Sequence, residues 1–340
     1  MPLNHCWAFE CGSIQAFILE TGRLADAVGA SLLIDRLTGD LDEAAGATAS
    51  LLQCVLNATK AEVEFSRRGG GSFIAFFASA TARSRVRQLW HAALLANVPG
   101  LRWADAVADG PTPQAAAGAA LRQCQQAARL DRPRLPEAGP LCMRVQRTGQ
   151  PAVATTTLAG GHEALDAATV VRRRHGRKSA VADTLLQRFG HREGLRWPRN
   201  MDAEGDSDDD GRSDAFPFLA GSKAVAFLHA DGNGLGVLLR QLDGAQGGEG
   251  YMRRYAAFSR AVSAATVAAA QHASAAVLLP AARDGLVPAR PLVLGGDDLT
   301  VIVRADLALP FAEAFLRAFE TASSQQMAGL RQMGLQLPGL

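Results

Sequence analysis

The chain has 340 residues, 48% of them hydrophobic and 20% charged, which is the balance of a globular protein large enough for two domains. Its 35 basic and 33 acidic residues nearly cancel, so the net charge of +2 gives no general electrostatic basis for binding nucleic acid or an anionic membrane. Five cysteines without a C-x-x-C pair, no signal-peptide pattern and no run of roughly 18 apolar residues argue against a zinc ribbon, export and a membrane span, and we expect a cytoplasmic protein.

The first 130 residues show the order β-α-β-β-α-β. An Arg-Arg-Gly-Gly-Gly segment between two apolar runs indicates a hairpin, because glycine adopts positive-φ turn positions without steric cost. The predicted strands and helices, including a further helix at the end, lie in chain order at residues 7–11, 14–37, 61–65, 72–78, 80–97, 101–108 and 113–130. This order predicts a ferredoxin-like unit.

Periodicity is weak from residue 131 to 222. The acidic run at 202–214 predicts a disordered linker, because six aspartates and a glutamate in thirteen residues cannot bury apolar surface. The basic run at 171–178 favours a solvated helix face or loop over a phosphate-contacting patch. We therefore interpret 131–222 as a linker or insert between two domains.

From residue 223 the pattern starts again as β-α-β-β-α. A strand at 224–228 is followed by the glycine-rich turn "ADGNGLG" and a helix, then by an alanine-rich helix near 250–274 and two strands around Gly295-Gly296. The last helix is opened by Pro310 and carries three phenylalanines on one face. We predict an α+β fold of two ferredoxin-like (βαββαβ) domains, at 1–130 and 223–340, the second without its last strand.

The two halves form a candidate internal repeat. Glu10 to Gly70 spans 60 residues and Asp231 to Gly296 spans 65, each from the end of a first strand to a later hairpin. The segment "GGGSFIAFF" matches "GGDDLTVIV" in position but lacks the aspartates. A duplication in which only the second copy keeps its acids explains the pattern.

Three carboxylates are expected to converge in the second half. The first strand and the hairpin are neighbours in a β-α-β-β sheet, so Asp231 can face Asp297 or Asp298. Converging carboxylates repel one another unless a cation neutralises them, and Mg²⁺ is usually held by one or two carboxylates plus substrate phosphates. The pattern predicts a two-metal site for phosphoryl transfer.

Glycines around these acids predict a nucleotide site. Backbone N–H groups at a strand-to-helix turn favour phosphate, and glycines at a hairpin allow close approach of a ligand. Asn233 could hydrogen-bond a sugar or base. Either motif alone is also typical of a plain turn, but their combination in this order favours the site. The glycines are Gly232, Gly234, Gly236, Gly295 and Gly296.

The chain resembles the large palm-containing subunit of type III CRISPR effector complexes, the polymerase/cyclase that makes cyclic oligoadenylates. The resemblance lies in "AFLHADGNGLG" followed by "LVLGGDDLTVIV", and in "GSIQAFILETGRLADAVGAS" with "GGGSF". It covers both halves and indicates a stand-alone or truncated relative without the nuclease domain. The resemblance implies two palm domains, the first degenerate and the second carrying the GGDD hairpin, with ATP as substrate.

Residue roles follow from the same resemblance. It implies that Asp231 and Asp297 are ligands of two Mg²⁺ or Mn²⁺ ions, and that Asp298 is a further ligand or positions the attacking 3′-hydroxyl. The Gly232 carbonyl would complete a metal shell. Gly295 and Gly296 would contact the nucleotide.

The leading hypothesis is a nucleotidyltransferase that makes cyclic nucleotides from ATP in antiviral defence signalling. One alternative is a non-catalytic scaffold subunit that binds nucleotide or RNA in a CRISPR-like complex. The other is a diguanylate or mononucleotide cyclase. Expected partners are a nucleoside triphosphate, protein subunits and RNA of a defence complex, or a second copy of the chain, and no membrane.

Overall fold

The computed structural model describes residues 4–42, 50–129, 139–158, 161–178, 184–201, 215–232 and 250–332. It is a mixed α+β protein with antiparallel sheets, which confirms the α+β part of the predicted fold class. We call residues 4–129 the first half, 139–201 the middle segment and 215–332 the second half. The predicted linker at 202–214 lies outside the described residues, and the predicted domain boundaries stay predictions.

The first half contains one four-stranded antiparallel sheet of order β2-β3-β1-β4. Strand β3 lies between β2 and β1. It is buried along its whole length, which its six apolar or small residues allow. The elements are β1 His5–Gly12, α1 Ile14–Leu19, α2 Leu24–Thr38, α3 Leu51–Thr59, β2 Glu64–Gly69, β3 Ser72–Phe77, α4 Ala80–Asn97, β4 Arg102–Asp109 and α5 Pro113–Arg129.

Two predicted boundaries in this half are wrong. The single helix expected at 14–37 is two helices, because Gly22 adopts a φ of 68° and ends the first of them. The strand expected at 61–65 begins at Glu64 and runs through both arginines, so the turn is only Gly70-Gly71. Both glycines have positive φ angles, which is why the chain reverses there.

The middle segment packs on the first half. It contains a two-stranded sheet, β5 Ala154–Leu158 and β6 Gly161–Leu165, and the helices α6 Ala167–Lys178 and α7 Thr184–Arg188. The interpretation of the basic run as a solvated face is wrong for Arg172 and Arg173. Arg172 is fully buried over the Phe17 ring, and Arg173 pairs with Asp26, because α6 lies directly against α2.

The second half repeats the first. Its elements are β7 Val225–Ala230, α8 Tyr251–Ala273, β8 Ala289–Gly295, β9 Asp298–Arg304 and α9 Ala308–Gln332. They form an antiparallel sheet of order β7-β9-β8, which matches β1-β3-β2 of the first sheet. Within the described residues no strand takes the place that β4 has beside β1.

Each half of the chain contacts the sheet of the other half through one helix. Helix α2 contacts β8, and α8 contacts β2, so each half packs a helix on the second strand of the other half's sheet. A central core joins aromatic residues of β1 and β3 to Leu292 and Ile302 of the second sheet. Fully burying side chains of this size stabilises by about 1.5–3 kcal/mol each. The two sheets are therefore held in one fixed relation.

One helical stretch, Tyr251–Leu278, is long and apolar enough to cross a membrane, with a mean hydropathy of 1.3. Half of its apolar window is buried against other parts of the protein. A buried core helix has the same length and composition, so this feature carries no conclusion about a membrane.

The crossing of α2 and α6 depends on Gly29. A Cβ at this position would lie 1.9 Å from the Arg172 carbonyl oxygen, which belongs to backbone and cannot move aside. We expect Gly29→Ala to destabilise the protein by about 2–4 kcal/mol, because the helices must separate. Chemical denaturation measures the change. Gly329→Ala on α9 is the matched control, since its Cβ meets nothing within 4 Å. Equal effects of the two substitutions would contradict the tight crossing.

Candidate functional site

The site is built on the hairpin between β8 and β9. Gly295 pairs with Asp298, which leaves Gly296 and Asp297 as a two-residue turn. Gly296 has a φ of 61°, a conformation that glycine adopts without strain. The hydroxyl of Thr266 on α8 donates a hydrogen bond of 2.7 Å to the Gly296 carbonyl. Helix α8 therefore fixes the turn from one side.

The end of β7 brings the third acid to this turn. Strand β9 lies between β7 and β8, and Ala230 pairs with Leu299. In this register Asp231 lies opposite Asp298, and the two side chains share a hydrogen bond. The backbone N–H of Gly232 donates to the Asp297 carboxylate. All three aspartates thus meet at one end of one sheet.

The pKa values of the two turn aspartates are raised, because these carboxylates are partly buried and lie close to other negative charge. Burial, the charge of Asp297 and the hydrogen bond that protonated Asp298 donates to Asp231 raise the pKa of Asp298 to about 6. Burial also raises the pKa of Asp297, although the positive charge of Arg67 opposes the rise. The His229 side chain acts on Asp298 in the same opposing sense. A cation at this place would be stabilised by the surplus negative charge.

Strand β8 is held from outside by side chains of other segments. The Ser31 hydroxyl of α2 donates to the Leu292 carbonyl over 2.5 Å, and Arg188 of α7 donates to the Leu294 carbonyl over 2.9 Å. Arg188 also forms an ion pair with Asp35 of α2. The second of these carbonyls, that of Leu294, directly precedes Gly295. The first half and the middle segment therefore fix the strand that enters the turn.

His229 lies beside the cluster on β7. Its Nδ1 atom is 3.1 Å from the Thr300 hydroxyl and 2.8 Å from the side-chain nitrogen of Gln15. The ring is thus occupied by hydrogen bonds to strand β9 and to helix α1 of the first half. These hydrogen bonds orient His229, which lies two positions before Asp231.

The corresponding place in the first half carries no aspartate pair. Gly69 pairs with Ser72 as Gly295 pairs with Asp298, so Gly71 and Ser72 stand where the second half has its two acids. Glu10 pairs with Ser72 and occupies the place of Asp231. One carboxylate remains there instead of three. The two sites differ in charge although their backbones follow the same pattern.

The donor set fits a divalent cation in its chemistry. Carboxylates and a backbone carbonyl are oxygen ligands of the kind that Mg²⁺ prefers, and two hydrogen-bonded carboxyl groups mark a place where positive charge is missing. Over the described ranges, however, no three His, Cys, Asp or Glu side chains are already arranged around one metal position. Mg²⁺ commonly completes its shell with water and substrate phosphates, which is consistent with this incomplete protein shell.

The predicted nucleotide ligands are only partly within the described residues. Gly232, Gly295 and Gly296 lie at the cluster, whereas Asn233, Gly234 and Gly236 fall outside the described part of the chain. Sequence reasoning missed Thr266 and Arg188, which bind the carbonyls of the hairpin. Neither has a local signal, since each is an isolated polar residue in an ordinary helix and its role depends on long-range packing.

No protein-family model and no curated protein matches the chain. Among solved structures, a Csm1–Csm4 cassette in complex with one ATP matches 96% of this chain and 49% of the other, with 10% identity and a TM-score of 0.49. The cassette in complex with cA3 matches 96% and 49%, with 11% identity and a TM-score of 0.48. Csm1 in T. onnurineus matches 96% and 48%, with 12% identity and a TM-score of 0.39.

The chain spans about half the length of the structures that it matches. Csm1 is a large subunit of type III CRISPR complexes, the group that the sequence resembles.

The raised pKa of Asp298 makes stability depend on pH in metal-free buffer. The carboxyl titrates near 3.8 when unfolded and near 6 when folded, so the native state binds the proton more tightly. Its contribution is complete below about pH 4 and is lost as the pH rises through 6. We expect Asp298→Asn to flatten this fall and to be more stable at pH 7, by on the order of 1 kcal/mol after allowance for solvent screening.

Thermal unfolding of both proteins between pH 4 and 8, in the presence of a chelator, measures the difference. Parallel curves for the wild type and Asp298→Asn would show that Asp298 is an ordinary solvated turn residue.

Proposed function

We propose that the protein is a metal-dependent nucleotidyltransferase that makes cyclic nucleotides from ATP. The observation that carries the proposal is the meeting of Asp231, after the end of β7, with Asp297 and Asp298 at the hairpin turn, with the pKa of Asp298 raised to about 6. Structural ion pairs normally lower the pKa of a carboxyl group. A cluster that raises it is typical of a site for cations or catalysis.

We further infer that both halves are ferredoxin-like palm domains, the first degenerate. Two features support this: the matching strand orders β2-β3-β1 and β8-β9-β7, and the tight glycine turn at the same place in each. Aspartates are present only in the second turn. The first half then has a supporting role, as its contacts with β8 indicate.

The residues of the site would have distinct roles in binding metal and substrate. Asp231, Asp297 and the Gly232 carbonyl would hold Mg²⁺ or Mn²⁺ ions, and Asp298 would hold an ion or orient the attacking 3′-hydroxyl. Two such ions, when bound, would neutralise charge on the α-phosphate and on the attacking and leaving oxygens. Gly296 leaves the hairpin backbone open to the nucleotide, since a Cβ there would meet nothing within 4 Å, and Gly295 would contact the nucleotide beside its own contact with Gly70. Alignment and charge compensation supply most of the rate enhancement in this kind of reaction.

The choice of ATP, of a cyclic oligoadenylate product and of a role in antiviral defence follows from the resemblance of the motifs. The same resemblance supports protein subunits and RNA of a defence complex as partners. A second copy of the chain is a further proposed partner, and the scattered cysteines support a location in the cytoplasm. A diguanylate or mononucleotide cyclase would use the same carboxylates. The bases of the products distinguish these enzymes.

A non-catalytic scaffold that binds nucleotide is the second candidate. The absence of a preformed three-ligand metal shell among the described residues favours it. The two candidates differ in one measurable respect, because a scaffold binds ATP without releasing pyrophosphate. Chromatography of the products after incubation with ATP and Mg²⁺ or Mn²⁺ separates them.

We predict that replacing both turn aspartates, Asp297→Ala and Asp298→Ala, lowers nucleotidyl transfer at least roughly 1,000-fold, because the metal ligands are lost. In metal-free buffer the double variant should be as stable as the wild type or more so, since repulsion is relieved. With ATP and Mg²⁺ the wild type should gain stability and the variant should not.

Glu10→Ala is the matched control, because Glu10 occupies the equivalent place in the first half. It should keep full activity and the full thermal shift with ATP and Mg²⁺. If the double variant and the wild type show equal metal-dependent shifts, the aspartates are only a turn.

A further inference from the structure

The two arginines of β2 point to opposite faces of the first sheet. Arg67 pairs with Ile74 and Arg68 pairs with Phe73, and successive strand residues face opposite sides. Phe73 belongs to the central core, whereas Ile74 belongs to the outer cluster that contains Tyr255 of α8. Arg67 therefore lies on the face that α8 covers.

The surroundings of the two side chains differ in the same way. Arg68 is buried and donates to the Thr38 carbonyl, the Gln53 side chain and the Ser50 hydroxyl, so its role is structural. Arg67 is half-buried, and its positive charge acts on the carboxylate of Asp297. Partial burial of a guanidinium is favourable only beside an anion, so negative charge at this place favours the position that Arg67 occupies.

The packing of the two halves brings Arg67 to the carboxylate cluster. A Cβ on Gly295 would lie 3.4 Å from the Gly70 Cα, so the tips of the two hairpins touch. Helix α8 lies on β2 and also bonds the Gly296 carbonyl through Thr266. The turn that carries Asp297, the helix α8 and the strand of Arg67 thus meet at one place.

We propose that Arg67 binds the phosphates of the nucleotide held at the turn aspartates, so that the first half contributes a residue to the site of the second. A guanidinium presents planar, paired N–H donors that match phosphate oxygens. Cations at the aspartates neutralise the carboxylates, and the triphosphate then needs a further positive group. This inference rests on the proposed function for its ligand and adds the residue that recognises it.

The test compares Arg67→Gln with Arg67→Lys and with Arg85→Gln. The last variant removes a positive charge from an exposed position on α4, which packs on the other face of the sheet. Isothermal titration with ATP and Mg²⁺ gives the Kd of each protein. We expect Arg67→Gln to weaken binding by about 10- to 100-fold, the loss of one charge-assisted contact. Arg67→Lys should recover part of the loss, and Arg85→Gln should bind as the wild type does.

Product chromatography on the same samples separates this inference from the proposed function. A wild type that binds ATP without making product, with weakened binding in Arg67→Gln, would support the role of Arg67 and overturn the enzymatic proposal. An unchanged Kd in Arg67→Gln would overturn the role of Arg67, as would a loss of affinity that only follows a loss of thermal stability and that lysine does not recover. A wild type that does not bind ATP overturns both.

Discussion

Asp231 and Asp298 share a hydrogen bond at the end of β7 and β9, and two carboxyl groups can do so only when one of them carries a proton. The shared bond therefore adds to burial and to the charge of Asp297 in raising the pKa of Asp298. Near neutral pH the proton is lost, and repulsion then acts across adjacent strands. The fold tolerates this arrangement because bonds elsewhere hold the hairpin. A cation that replaces the proton would remove the conflict.

The bonds that hold the hairpin come from every part of the chain. The strand before the turn is fixed by Ser31 of the first half and Arg188 of the middle segment, and the turn itself by Thr266 of α8. A Cβ on Gly295 would lie in van der Waals contact with Gly70, so the two hairpins touch. The site is therefore a property of both halves, although its acids lie in one.

Much of this architecture could be predicted from local pattern. The helix predicted at 80–97 is found at those residues, and the repeat led to the pairing of β7 with the hairpin. The break at Gly22 was missed, since apolar spacing continues across it. The burial of Arg172 and Arg173 was also missed, because a basic run reads as solvated until the acids and the Phe17 ring that receive it are placed. Long-range partners of this kind leave no mark in a single sequence.

We propose that the second hairpin, and not the first, holds divalent cations. Anomalous scattering from crystals soaked with Mn²⁺ and a non-hydrolysable ATP analogue tests it most directly. We expect peaks between Asp231 and the turn aspartates, at distances of roughly 2 Å from carboxylate oxygens, and none beside Glu10. Crystals that contain the nucleotide but show no peak at the second hairpin, or a peak at Glu10, would contradict it.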